Sequence, residues 1–376
     1  MKVGRLDQEA YRKLISGQSR GLVAVLLRFL LAIAGGFYAV VVRLRNFSYS
    51  KGWLRTHTAK AVVLSIGNIT TGGTGKTPLV IWLCKLLREK GVRCAILTRG
   101  YKTRSKGRGT RIDEPAILAE SCPGAQVIIN PDRAAGAAEA VNEFGAQALI
   151  MDDGFQHRRL ARDLDIVVID ATRPFGYGKM LPAGLLREPV TALKRANSVV
   201  ITRCDQVSEA ELTALERKLK QLNPGVIIAR STHAPVCARS GDNKEIRLEE
   251  LKGKRIFAFC GIGNPEAFIE TVRKLGANVV GSRFYNDHYH YTQDCLSDIQ
   301  EQASSSNAEL ILTTQKDWFS SPLLTAKNAS DERRATSHEI PFAYLAIELR
   351  FVAGEDRITQ LIENTLAGTI HTTQRD

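Results

Sequence analysis

The pattern of apolar and polar positions changes character near residue 60. Before it, one long apolar run dominates: Gly21 to Val42, GLVAVLLRFLLAIAGGFYAVVV, broken only by Arg28. As a helix rising ~1.5 Å per residue, this run predicts an element about 33 Å long, close to the ~30 Å hydrocarbon core of a bilayer. After it, short apolar, β-branched runs alternate with polar stretches at helical spacing. Strands are predicted within Ala61–Gly67 and at Arg93–Leu97, Gln126–Ile129, Ala148–Met151, Ile166–Ile169, Ser198–Thr202 and Val226–Ala229. Helices are predicted from Lys76 to about Lys90, near Arg133–Phe144 and over Ser208–Leu222. A polar linker covers about Arg239–Glu249. A second series then begins: strand Ile256–Cys260, a tight turn at Gly261-Ile262-Gly263-Asn264-Pro265 into a helix, and strands Asn278–Ser282 and Leu310–Thr313. Continuous apolar strands alternating with helices predict an α/β protein with a mostly parallel sheet.

Three readings compete for the N-terminal run: a membrane-embedded anchor, a buried core helix, or a signal peptide. Ala32-Ile33-Ala34 resembles a cleavage site, yet the apolar run continues past it, which ranks secretion last. Basic residues flank the run on both sides, at Arg12, Lys13, Arg20, Arg43 and Arg45. That suits a helix lying on or dipping into an anionic leaflet, with Arg28 snorkelling.

Chemistry first becomes specific at AVVLSIGNITTGGTGKTPLVIWL, residues 61–83. A strand, a glycine loop, Lys-Thr and a helix follow one another, which is the layout of a P-loop. Thr71, Gly72, Gly73, Thr74 and Gly75 form the expected ATP-binding loop, whose backbone N–H groups and helix N-terminus favour phosphate. Lys76 is expected to reach the terminal phosphates and the Thr77 hydroxyl to ligate Mg²⁺. Thr70 stands where the strict motif has its first glycine. Ala148 to Asp153 is an apolar strand ending in two acids, so Asp152 and Asp153 are candidate Mg²⁺ holders, with capping as the bland alternative. The basic stretch Lys102–Arg108 leaves the end of a strand, where open α/β sheets bind ligands, and is otherwise a solvated loop. Asp113 before Glu114-Pro115 is sufficiently explained as a helix cap. The Tyr285–Tyr291 loop carries His288 beside Asp287 without a third firm metal ligand; a functional and a structural histidine are both open there.

These assignments give a domain division: residues 1–50 as the apolar helix and its flanks, 51–245 as a P-loop domain, and 246–376 as a smaller α/β domain with a C-terminal helix. The chain has 52 basic and 39 acidic residues, a net charge of +13. Such a balance favours anionic partners without choosing among nucleic acid, acidic lipid and phosphorylated substrates. The seven cysteines are scattered and form no C-x-x-C pair, so buried thiols are expected rather than a metal site or disulfide framework. No RNA- or DNA-binding motif is present.

Taken together, the motifs resemble the tetraacyldisaccharide 4′-kinase family of lipid A biosynthesis. They are GNITTGGTGKTP from Gly67, TRGY from Thr98, DEP from Asp113, DDGFQHRRLARDLDIVVID from Asp152, LPAGLLREP from Leu181, the Asp287-His288 loop, and Thr314-Gln315-Lys316-Asp317. Gln315 stands where the family commonly has Glu. The resemblance implies transfer of the ATP γ-phosphate to the 4′-hydroxyl of an acylated disaccharide 1-phosphate lipid, with Mg²⁺, at the cytoplasmic face of the inner membrane. It implies Asp113 as proton acceptor assisted by His288, Glu188 as a carboxylate that either ligates the metal or supports its ligands, and Arg99 and Tyr101 as residues that position substrate or nucleotide phosphate. It names no firm protein partner and no nucleic acid. The alternative is a membrane-tethered P-loop ATPase or GTPase switch. Its guanine-reading motif would be [N/T]-K-x-D, and in Thr314-Gln315-Lys316-Asp317 the lysine falls one place late.

Overall fold

The computed structural model describes residues 8–100, 113–241, 244–286, 289, 291–321 and 340–373. In chain order the elements are α1 (Gln8–Ile15), α2 (Leu22–Ser50), β1 (Val62–Gly67), α3 (Lys76–Glu89), β2 (Cys94–Thr98), α4 (Asp113–Ser121), β3 (Gln126–Ile129), α5 (Arg133–Phe144), β4 (Ala148–Asp152), β5 (Leu164–Asp170), β6 (Ser198–Thr202), α6 (Glu209–Leu222), β7 (Ile227–Ser240), β8 (Glu245–Arg247), β9 (Arg255–Cys260), α7 (Pro265–Lys274), β10 (Asn278–Phe284), α8 (Gln293–Ser305), β11 (Leu310–Thr314), α9 (Gln315–Phe319), β12 (Phe342–Ala353) and α10 (Glu355–Thr373). Two compact units result. The first is Met1–Gly100, Ser121–His233 and Leu349–Asp376; the second is Tyr101–Glu120 and Ala234–Glu348.

The first unit is built on parallel strands in the order β7–β6–β5–β1–β4–β2–β3. Every residue of β1, β2, β4 and β6 is buried, as the unbroken apolar runs require of strands covered on both faces. Their carboxyl ends carry the loops that matter here: Asn68–Gly75 after β1, Arg99 after β2, Asp153 after β4 and Arg203 after β6. Helix α3 turns Leu79, Val80, Leu83, Cys84 and Leu87 into the core. Local chemistry fixes the helix ends. Asp132 caps α5 by accepting from the backbone of Ala134, and Gly145 closes it with a φ of 60°. Ser208 and Glu211 form a capping box on α6.

The C-terminal helix belongs to this first unit, unlike the division expected from the sequence. The long strand β12 delivers the chain to it. Trp82 of α3 packs edge-on against Phe351 at 4.8 Å and donates to Glu355, and Lys90 pairs with Glu363. Contacts between residues 273 positions apart leave no local signal in the sequence.

The second unit has parallel strands in the order β10–β9–β11–β12, with α7 and α8 following β9 and β10. The expected G-x-G turn is a strand-to-helix turn: the Asn264 side chain caps α7 and Pro265 occupies its first turn. The stretch Arg239–Glu249, expected as a linker, instead contains the end of β7 and the short antiparallel strand β8. Its charged residues sit on an exposed edge hairpin, where polarity does not argue against a strand.

Candidate active site

The phosphate loop is shaped by its neighbours as much as by its glycines. Gly72 and Gly75 adopt φ of 111° and 90°, which L residues with a Cβ rarely do. Gly75 is also constrained from outside, since a Cβ there would lie 2.4 Å from Nε2 of His233. Thr70 bridges Leu186 in antiparallel fashion, the Thr71 N–H donates to the Leu185 carbonyl at 2.8 Å, and the Arg187 N–H donates to the Ile69 carbonyl at 2.8 Å. Position 70 is therefore extended backbone paired to the LPAGLLREP segment. That explains why the strict motif's first glycine is not needed there.

Asp153 is the electrostatic centre of the site. It has a left-handed φ of 54° at the end of β4. Arg187 grips its carboxylate with two hydrogen bonds of 2.8 and 2.9 Å, and the Lys76 ammonium lies 3.4 Å away. Burial alone would raise the Asp153 pKa, but Lys76 and Arg187 outweigh it and hold the carboxyl at about 2. Arg187 also reaches Asn68 Oδ1 at 3.3 Å, and Asn68 donates to Thr74 Oγ1 at 3.0 Å. Asn68 is wholly buried, so this chain of contacts ties the loop's interior to the acid. Asp152, the last residue of β4, is buried beside it; the Thr77 hydroxyl stands half-buried in the first turn of α3.

The carboxylates and the Thr77 hydroxyl are hard oxygen donors, which suits Mg²⁺. Among the described residues, no group of three or more His, Cys, Asp or Glu is placed to hold a metal alone. A cation here would complete its shell with phosphate oxygens and water, as Mg²⁺ in nucleotide sites generally does. Glu188 is otherwise engaged. Fully buried, it accepts from Arg195 at 2.8 and 3.0 Å and from Asn46 of α2 at 3.1 Å. Arg195 lies 3.6 Å over the Phe155 ring and also donates to the Phe155 carbonyl. Arg195→Ala strips a buried carboxylate of its partner and is expected to cost about 3–5 kcal/mol, read as a lowered denaturant midpoint. Glu188→Gln, which removes the charge, is expected to cost less.

Two half-buried histidines lie in the first unit, His233 against Gly75 of the phosphate loop. Burial, with Arg203 nearby, pushes His233 down to about 3. Burial, with Arg133, Arg162 and Arg45, pushes His157 down to about 4. Both are neutral in the folded chain and take up protons near 6.5 when it unfolds. Stability is thus fully present above about pH 6.5 and is lost as pH falls toward 4. His233 alone gives a slope of about 1.4 kcal/mol per pH unit in that window. Denaturant titrations at pH 7 and pH 5 measure it, and His233→Asn is expected to flatten the slope.

The other expected site residues are placed as follows. Arg99 is exposed directly after β2. Asp113 begins α4. Tyr101, Asp287 and His288 lie outside the described residues. Asp317 is buried within the second unit, where it accepts from the Gly261 N–H at 2.9 Å, from Tyr291 at 3.0 Å and from Thr314. Sequence reasoning passed over Asn68, Arg187, Thr202, Arg203 and His233. Asn68 and Arg187 lay inside quoted motifs; Thr202 and Arg203 stood in plain view at a strand end.

The tetraacyldisaccharide-1-P 4′-kinase (LpxK) family profile matches residues 27–367. A tetraacyldisaccharide 4′-kinase of Anaeromyxobacter sp. (strain Fw109-5) is 40% identical over 358 residues, covering 92% of this chain and 93% of that one. The corresponding protein of Geobacter sulfurreducens is 37% identical over 321 residues, covering 82% and 88%. The crystal structure of LpxK from Aquifex aeolicus in complex with ATP superposes with a TM-score of 0.67 at 27% identity, covering 90% of this chain and 99% of that one. The chain belongs to the tetraacyldisaccharide 4′-kinase family.

Proposed function

We infer that this chain is a lipid kinase that transfers the γ-phosphate of ATP to the 4′-hydroxyl of tetraacyldisaccharide 1-phosphate in lipid A biosynthesis. The observation that carries the reading is a P-loop whose lysine faces an ionised acid at the tip of β4, within a chain of this family. The switch alternative loses ground because the guanine-reading pattern fails at Thr314–Asp317, and Asp317 is a buried structural group of the second unit.

Phosphoryl transfer calls for positioning and charge neutralisation more than covalent chemistry from the protein. The loop N–H groups and Lys76 bind and orient the phosphates. Asp152, Asp153 and Thr77 would hold Mg²⁺, which supplies charge neutralisation at the phosphate oxygens. Arg187 keeps Asp153 ionised and fixed. Asp113, assisted by His288, accepts the proton of the attacking hydroxyl, with Arg99 and Tyr101 positioning substrate. Helix α2 associates with the anionic cytoplasmic face of the inner membrane and brings the site to its lipid.

The test is an ATP-dependent phosphorylation assay on tetraacyldisaccharide 1-phosphate in detergent. A bisphosphorylated product is expected. ATP binding without product would return the switch reading to first place. Asp113→Ala is expected to lower kcat by about 10²-fold or more while leaving ATP affinity unchanged. A change confined to ATP affinity would make Asp113 a binding or capping residue.

A further inference from the structure

Helix α2 turns a partly polar face inward. Gly35, Tyr38, Val42, Arg45 and Asn46 are buried or half-buried and recur at helical spacing, while Phe29, Phe37 and Leu44 stand exposed on other sides. Attachment to a lipid surface asks nothing of the inner face beyond packing. Its hydrogen bonds go to two segments, and both of those segments close on the phosphate site.

The first route runs through the LPAGLLREP segment. Tyr38 Oη donates to the Arg187 carbonyl at 3.1 Å, and Asn46 Nδ2 donates to Glu188 Oε2 at 3.1 Å. The Arg187 N–H donates to the Ile69 carbonyl at the entry to the phosphate loop. The backbone of Arg187 is thus held by α2 on one side and by the loop on the other, and its guanidinium grips Asp153. The second route runs through the loop after β4. Arg45 donates to the Gln156 carbonyl, Gln156 Nε2 donates to the Asn68 carbonyl at 2.8 Å, and Asn68 meets Thr74 and Arg187. Arg158 donates to the Asn46 carbonyl at 2.7 Å and leads back to α2. Arg187 is common to both routes. A guanidinium fixes a carboxylate only as well as its own backbone is fixed, and residues 181–188 have no helix or strand of their own to stiffen them. The 29-residue helix α2 is the rigid element they lean on.

We propose that Tyr38 and Asn46 are positioning residues of the phosphotransfer site, so that α2 is part of that site's framework as well as an apolar surface. They set the Arg187–Glu188 backbone, and through Arg187 they set the Asp153 carboxylate and Asn68. The kinetic part of the proposal rests on the kinase reading; the part that concerns the loop does not.

The test uses the full chain with Tyr38→Phe, Asn46→Ala and the double variant. Each change leaves its neighbour a second holder, since Ile69 keeps Arg187 and Arg195 keeps Glu188, so the fold is expected to survive. In detergent, the double variant is expected to lose about 10- to 100-fold in kcat, the usual size when the support behind a charged site is removed, with KM for the lipid nearly unchanged. Sedimentation with anionic vesicles is expected to match wild type, because the exposed apolar face is untouched. Hydrogen exchange without lipid supplies the second readout. Amides of residues 68–75 and 181–188 are expected to exchange faster in the variants, and ATP is expected to protect them less, while exchange elsewhere and the denaturant midpoint change little. Wild-type exchange in these two segments would overturn the proposal whatever the kcat. A loss confined to KM would overturn it too, by making this face a lipid contact. Faster exchange throughout with a lowered midpoint would overturn it by making the bonds purely structural. If wild type forms no product, the kinase reading falls, and exchange in the two segments alone then decides the positioning.

Discussion

Replacing Lys76 by Ala is expected to lower kcat by about 10²- to 10³-fold or more, the usual cost of removing one preorganised charge from a developing transition state. The variant is expected to remain folded. Lys76 sits 3.4 Å from Asp153, but Arg187 holds the same carboxylate at 2.8 and 2.9 Å, so the acid keeps a partner when the lysine is gone. Circular dichroism and the denaturant midpoint should therefore change little while product formation nearly vanishes. This separates Lys76 from Arg187. Arg187→Ala would leave the half-buried Asp153 and the buried Asn68 short of a partner, and is expected to lower stability as well as turnover. Full activity in Lys76→Ala would remove the P-loop from the mechanism. A collapse of both stability and activity would mean that the lysine is chiefly a structural partner of Asp153.

The phosphate loop was legible because its demands are local. Glycines at left-handed positions, a lysine at the helix start and an apolar strand before it all fall within two dozen or so positions, as P-loops require. The two acids at the end of β4 were legible for the same reason. What could not be read was anything set by contact between distant segments. Thr70 looked like a departure from the motif until its pairing with Leu186 showed that the position is a strand bridge. Glu188 carried an expectation of ligating the metal or supporting its ligands, and what the sequence did not announce is that both its oxygens are taken by Arg195, with Asn46 arriving from the N-terminal helix. The final helix joined the first unit through Trp82 and Lys90, which no periodicity announces.

Replacing Leu26, Phe29, Leu30 and Phe37 together by Ser is expected to reduce binding to anionic vesicles by about 10³-fold or more, at roughly 1–1.5 kcal/mol lost per side chain. Helix α2 is the one helix among the described residues long and apolar enough to cross a membrane, and little of it is buried. Those four side chains are 58%, 62%, 52% and 72% exposed, so an aqueous fold gains almost nothing from them. Other positions dock the helix. Gly35 has no Cβ, and one would come within 3.2 Å of Ala183 and of the Met180 carbonyl. Tyr38 donates to the Arg187 carbonyl at 3.1 Å, Asn46 to Glu188, and Arg158 returns a bond of 2.7 Å to the Asn46 carbonyl. The LPAGLLREP segment is thus shared: one side lies along the phosphate loop, the other receives α2. Because the serine substitutions spare every docking contact, melting temperature and ATP binding should hold while vesicle sedimentation falls. Added salt should weaken the residual binding further, since the flanking arginines act through a screened surface potential. Deleting residues 1–42 is a poorer probe, as it removes Gly35 and Tyr38 from the face of the site together with the apolar surface. Unchanged sedimentation of the quadruple variant would mean that the exposed apolar face of α2 is not what holds the protein to a membrane.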